Sequence, residues 1–348
     1  MSLNLLIGAF LGLWIGMLAD RSGPRMLLAI TIGVAGAGFA LAGIVQRLWH
    51  LYLFVGVMAG VGMSGFYVLA TATVARWFTT DFRGLAMGLV LTGFNLGFMT
   101  GPPVAAFLIE HVGWRTALAL LGGFCCVVGV AASIAVRFPP GAVSSSSRSR
   151  WAGLGVLVPD WRLWALGVSW LLTGGVMVML TVHVVPFARD QGIRLEAAAL
   201  GVTAYGIGAV IGRVAGGIAA DRLGTMPIMW VCYAVQALAL VPLLLRPSSA
   251  TVVFVLAAFG IGFAAADTVF AKVVPDVFGL KVIGAVFGLL TLAWRCGAAA
   301  GPAAAGFFYD LTGSYLVPFA AAPLAVVLGF VLFLAAGRHR IADRVEFE

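Results

Sequence analysis

Charge is what this sequence has least of. Only 10% of its 348 residues are Asp, Glu, Lys or Arg, against 62% hydrophobic, and the mean hydropathy is +1.08. Soluble domains carry about 25% charged residues, so a soluble globular fold is excluded and a polytopic membrane protein is implied. Acidic residues are scarcer than basic ones, 13 against 21, giving a formal charge of +8. The bases fall in short loops between apolar runs and form no basic stripe, which excludes nucleic acid as a partner. Cysteine is sparse too. Cys125, Cys126, Cys232 and Cys296 all lie inside apolar runs, without metal-ligand or redox spacing, and read as packing residues. A phosphate-binding loop is missing, so ATP is not the direct energy source and no cofactor is expected. The few polar residues make no nucleophile–base constellation or metal cluster, which argues against an enzyme. The N-terminus lacks a basic n-region and a cleavage site, so it does not read as a signal peptide.

What is present is a series of long apolar runs. A spanning helix needs about 20 mostly apolar residues, and eleven stretches qualify: 3–19, 25–46, 50–75, 84–108, 113–137, 161–186, 196–220, 226–246, 251–274, 281–307 and 315–337. The basic residues between them sort to one side. Arg21, Arg25, Arg76, Arg83, Arg137, Arg148, Arg150, Arg162, Arg222, Lys272, Lys281, Arg338, Arg340 and Arg344 share a face, whereas Arg47, Arg115, Arg189, Arg194 and Arg246 lie opposite. The positive-inside rule makes the richer face cytoplasmic. The expected location is the cell (inner or plasma) membrane, multi-pass, with a cytoplasmic C-terminus.

The chain also repeats itself. A shift of 200 carries Gly84, Gly88, Gly97, Gly101 and Pro102 onto Gly284, Gly288, Gly297, Gly301 and Pro302. A polar turn after an apolar run, Gly16 through Asp20, Arg21, Gly23 and Arg25, returns as Gly217, Asp221, Arg222 and Gly224 at a shift of 201. Met226 stands where Arg25 stands in the first copy. The pattern G-x-x-x-D-R-x-G resembles the loop signature of the major facilitator superfamily. The resemblance implies an all-α membrane protein, a two-bundle transporter with about 11 transmembrane helices. Its expected parts are an N-terminal bundle over 1–137, a cytoplasmic linker over 138–160, a C-terminal six-helix bundle over 161–340 and a tail over 341–348. The span 161–186 would need a repeat mate before residue 1. The first half is therefore expected to lack the family's first helix, through a late start site or a real truncation, and DNA upstream of Met1 would distinguish these.

Charges at bilayer depth cost about 2.5–3.5 kcal/mol each on insertion scales, so they are functional candidates. Arg213 lies eight residues before Asp221, and Asp267 eight before Pro275, each about 12 Å deep at roughly 1.5 Å per residue. Arg295 lies near the middle of its span. Arg213 shares a helical face with Gly206, Ala209, Gly216 and Gly217, and Arg295 with Gly288, Thr291 and Ala299. Such small faces point at other helices or a cavity. Two guanidiniums over a cavity suit a carboxylate, which each grips bidentately. Asp267 serves as counter-charge or carries a proton. A buried Arg–Asp pair that only locks helices is the plainer alternative. Asn95 is the repeat mate of Arg295, and Tyr67 that of Asp267, so both are candidates for substrate contact or for interhelical hydrogen bonding. Trp294 lies beside Arg295 and is placed to shape a pocket. His183, near a span end, reads more simply as an interfacial histidine than as a proton relay.

Ala75-Arg76-Trp77-Phe78 followed by Arg83-Gly84-Leu85-Ala86-Met87-Gly88 resembles the monocarboxylate transporter and oxalate/formate antiporter branch of the superfamily. The resemblance implies that Arg213 is the substrate-binding arginine and places Arg295 near a second cationic ligand. It implies secondary active transport of a small carboxylate by alternating access, coupled to a proton or counter-anion, in the lipid bilayer and as a monomer. The signature residues Asp20, Arg21, Arg25, Asp221 and Arg222 would latch the cytoplasmic side. Gly97-x-x-x-Gly101-Pro102-Pro103 resembles an antiporter signature, although its mate at Gly297 shows that helix packing uses the same pattern. Two alternatives stand beside this reading: a facilitator-type transporter of another solute, such as a drug-like efflux substrate, and a non-transporting remnant.

Overall fold

A computed structural model describes residues 2–78, 80–140, 158–245, 247–280 and 283–337. Most of the predicted linker, from Gly141 through the serine run to Arg150, lies outside the described residues, as do the tail 341–348 and the side chains of Arg21 and Pro102. The apolar runs are helices: α1 (Ser2–Ser22), α2 (Pro24–Ala42), α3 (Leu48–Trp77), α4 (80–112), α5 (114–133), α6 (Trp161–Asp190), α7 (Leu195–Leu223), α8 (Thr225–Leu240), α9 (Ser249–Phe278), α10 (Ile283–Thr312) and α11 (Leu316–Gly337). Among the described residues, ten helices are long and apolar enough to cross a membrane, and the apolar stretch Ile7–Asp20 of α1 is shorter. Gly113 breaks the run Thr80–Ser133 into α4 and α5 with φ 78° and ψ 158°, a conformation that costs glycine little. The turns of the two signature loops depend on the same freedom, at Gly23 (φ 78°) and Gly224 (φ 87°). Within α3, Tyr52–Met58 is wound as π-helix. After α8, the chain tightens into a short 3₁₀ turn, Val241–Leu244.

The helices gather into two compact units. The first comprises Met1–Trp77, Thr100–Val158 and Phe278–Leu292; the second comprises Phe78–Met99, Pro159–Val277 and Ala293–Glu348. The units thus trade helix starts relative to the linear repeat. The beginning of α10 packs in the first unit and the beginning of α4 in the second.

Glycine makes these exchanges. In the first unit, a side chain at Gly16 would overlap the backbone of Gly284, and one at Gly288 would strike Leu13 and Gly12. In the second, a side chain at Gly217 would overlap Gly84, and one at Gly88 would overlap the carbonyl of Arg213. Backbones in contact leave no space for Cβ, and the dispersion gained at that distance replaces the hydrophobic drive that lipid removes. Elsewhere in the first unit, α3 packs on α1 and α2, while Gly36 of α2 meets Gly122 and Cys126 of α5. In the second, α11 lies on α6 and α8, and α7 sets Gly208, Gly212 and Gly216 against Ala257, Ile261 and Ala265 of α9.

Candidate functional site

The small residues that draw α7 onto α9 and α4 also bring three polar side chains together inside the second unit. Arg213 is 5% exposed, Asp267 6% and Asn95 4%. The Arg213 guanidinium donates through Nε to Asn95 Oδ1 at 2.6 Å and through Nη1 to Asp267 Oδ2 at 2.6 Å. Tyr205, two helical turns along α7 and buried, lies within electrostatic reach of both charges. The site is electroneutral, and its ion pair is charge-assisted and short, as a low-dielectric interior favours. Removing one partner of such a pair strands the other charge and costs about 3–5 kcal/mol.

Arg295, on α10 of the same unit, is 7% exposed. Trp294 beside it packs against Gly174 of α6, where an added Cβ would come within 2.6 Å of the indole. Tyr67 belongs to the first unit, where it is half-buried with its ring edge-on to Phe287, centroids 6.3 Å apart. His183 is held at both nitrogens. Nε2 lies 3.1 Å from the Pro302 carbonyl and must donate to it, so in the neutral ring Nδ1 accepts from the Tyr315 hydroxyl at 3.3 Å.

The signature aspartates do the same work in each unit. Asp20 accepts from the backbone N–H groups of Gly284 and Ala285 at 3.0 and 3.2 Å, at the start of α10. Asp221 accepts from Gly84 and Leu85 at 2.9 and 2.8 Å, at the start of α4. A carboxylate at a helix N-terminus satisfies orphan donors and meets the positive end of the dipole. The cations that pair with them come from other helices. Asp20 pairs with Arg76 of α3 at 2.6 Å, and Asp221 with Lys272 of α9 at 2.6 Å, whereas Arg25 and Arg222 are exposed. A third pair, Arg83 with Asp276 at 2.7 Å, stands nearby in the second unit. The repeat shift was no guide to these cations, because it sets Lys272 against Ala72 and Arg76 against Asp276.

Sequence comparison finds relatives over most of the chain. Monocarboxylate transporter 11 of Homo sapiens is 29% identical over 336 residues, covering 92% of this chain and 70% of that protein. Monocarboxylate transporter 13 of Rattus norvegicus is 27% identical over 316 residues, covering 90% and 73%. Among solved structures, the E. coli fucose:proton symporter superposes with a TM-score of 0.80 at 12% identity, over 97% of this chain and 90% of that one. The human organic anion transporter MFSD10 gives 0.81 at 17% identity, over 95% and 82%. These structures share the fold of a multi-pass helical membrane protein. The Major Facilitator Superfamily model matches residues 1–245 and 179–346, and the chain is a member of that family, a transporter related to the monocarboxylate transporters.

Proposed function

We propose that the protein moves a small carboxylate across the membrane by alternating access, with Arg213 as the anion ligand and Asp267 as the group that couples transport to a proton. The observation that carries this reading is the neutral, buried Arg213–Asp267 pair. A substrate carboxylate arriving at Arg213 would compete with Asp267 for one guanidinium and leave that hydrogen-bonded pair with two negative charges against one positive, which an apolar interior penalises. Protonating Asp267 removes the conflict. Arg213 then faces the substrate, the pair with its substrate stays neutral, and each anion carries one proton with it. Asn95 holds the guanidinium by Nε and leaves its outer edge for bidentate binding. Arg295 is the second cation and Trp294 the wall beside it, while Tyr67 is a candidate contact on repeat grounds alone. The similarity to monocarboxylate transporters supports the substrate class.

The aspartate caps on α4 and α10 are, in this reading, the cytoplasmic latches that release when the homologous halves, 1–137 and 161–340, rock. The C-terminus is then cytoplasmic and the working unit a monomer in the cell membrane. The test is carboxylate binding by the purified protein, followed as thermal stabilisation by lactate, acetate and oxalate. Wild type should be stabilised by at least one of them. Arg213→Ala should lose that response by tenfold or more in apparent affinity, since hydrogen bonds to a charged group contribute about 1.5–3 kcal/mol. Retention of the response in Arg213→Ala would refute the site. Stabilisation by a neutral drug-like solute instead would favour the efflux reading.

A further inference from the structure

Asp267 has a second polar neighbourhood, separate from Arg213. A cavity of about 10 Å³ is lined by Asp267 with Thr173, Tyr233 and Gln236, and by Trp170 and Phe270, whose rings stack at 4.8 Å. That volume matches the roughly 10–15 Å³ that one water requires. Gln236 is wholly buried, and its Nε2 donates to the carbonyls of Cys232 at 3.2 Å and Gly262 at 3.4 Å. Those two bonds fix the amide orientation, because a flipped amide would set oxygen against two carbonyls. Its Oε1 is then a buried acceptor with no protein donor among the described residues. Leaving such an atom unsatisfied costs about 1–3 kcal/mol. The Tyr233 hydroxyl lies 3.1 Å from Ser169 Oγ, and when Ser169 donates, the tyrosine O–H is available to the cavity. Thr173 Oγ1 donates to the carbonyls of Ser169 and Trp170, so it offers the cavity lone pairs only.

We infer that this cavity is a hydration site in which one water, donating to Gln236 Oε1 and to the Asp267 carboxylate and accepting from Tyr233, delivers the coupling proton to Asp267. The inference rests on Asp267 being the protonated group of the proposed function. The proton arrives as hydronium. One of its O–H bonds breaks as an O–H bond forms on the Asp267 carboxylate, and water stays behind. The route leaves the Arg213 edge to the substrate, so proton and anion reach the pair from different directions. Among the described residues, the charged and titratable groups around Asp267 are Arg213 and Tyr205 on α7 and Tyr233 on α8, with Cys232 beside Tyr233. The neighbouring α6 and α4 contribute the neutral Thr173 and Asn95. Gln236 is a positioning residue, since it acts through the water.

The experiment compares wild type, Gln236→Met and Gln236→Glu, reconstituted in liposomes. Methionine keeps the length and removes the acceptor, while glutamate restores an acceptor and controls for folding. Infrared difference spectra between acid and alkaline pH should contain an O–H stretch that shifts in heavy-oxygen water, present in wild type and lost in Gln236→Met. In the same variant the ratio of proton-driven lactate uptake to lactate counterflow should fall by about a hundredfold, the low end for removal of a proton-transfer group, and Gln236→Glu should recover it in part. No isotope-sensitive band in wild type, or an unchanged ratio in Gln236→Met, overturns the inference. A band without any proton-driven lactate uptake by wild type would leave the water in place and refute the transport reading instead.

Discussion

The two units are built around the same crossing, yet among the described residues the ion pair one turn deeper is found in the second unit. Asp20 caps α10 in the first unit as Asp221 caps α4 in the second, each with a buried cation at 2.6 Å. Gly16 meets Gly284 as Gly217 meets Gly84. One turn deeper the likeness ends. The backbone facing Gly288 is Gly12 and Leu13, whereas the residue facing Gly88 is Arg213, joined to Asp267 and Asn95. What the repeat preserves is scaffold, held by caps and close backbones. Where one copy departs from the other, the second unit buries a costly ion pair, which the proposed function uses.

The sharpest way to break this comparison is to remove each cap in turn. Asp20→Asn and Asp221→Asn should destabilise alike, by about 3–5 kcal/mol, because each strands a buried cation. Thermal melting in detergent checks this, and a large effect at one aspartate alone would contradict the symmetry. The glycines of α4 and α10 should instead behave unequally. Side chains at Gly297 and Gly301 would overlap Leu171 and Gly175, whereas Gly97 and Gly101 have nothing within 4 Å. Gly297→Ala and Gly301→Ala should each cost about 1–3 kcal/mol or more from overpacking. Gly97→Ala and Gly101→Ala should change the melting point little, or raise it slightly through helix propensity. A smaller contrast concerns the mates Asp267 and Tyr67. Asp267→Asn should abolish the pH dependence of uptake, while Tyr67→Phe should cost at most a single hydrogen bond, about 0.5–1.5 kcal/mol in apparent affinity. Smallest of all is His183→Gln, which keeps a donor for Pro302 and should leave the pH profile of uptake unchanged.

Much of this was legible in the sequence. Among the described residues the eleven apolar runs are helices, ten of them long enough to span, because a span must satisfy its own backbone, and length and hydropathy report that directly. Arg213 and Asp267 were legible because charge in an apolar run is rare, and so was an Arg–Asp pair between them as one alternative. Which arginine Asp267 meets was not, since α7 and α9 are separated by α8 and the Gly208–Gly212–Gly216 ridge against α9 sets their register. The partners of Asp20 and Asp221 were missed for a related reason. Arg21 and Arg222 adjoin them in sequence, but each aspartate is turned toward a helix start, and the cations that reach it come from α3 and α9. Gln236 gave no signal at all, because a lone amide in an apolar run reads as packing until its neighbours are known.

The central claim is that Asp267 makes anion movement through Arg213 obligatorily proton-linked. Uptake of radiolabelled lactate into liposomes under an imposed pH gradient tests it most directly. Wild type should accumulate lactate when the source side is acid. Asp267→Asn, which mimics the protonated carboxyl permanently, should exchange lactate but no longer accumulate it. Accumulation by Asp267→Asn equal to wild type under the same gradient would contradict the account.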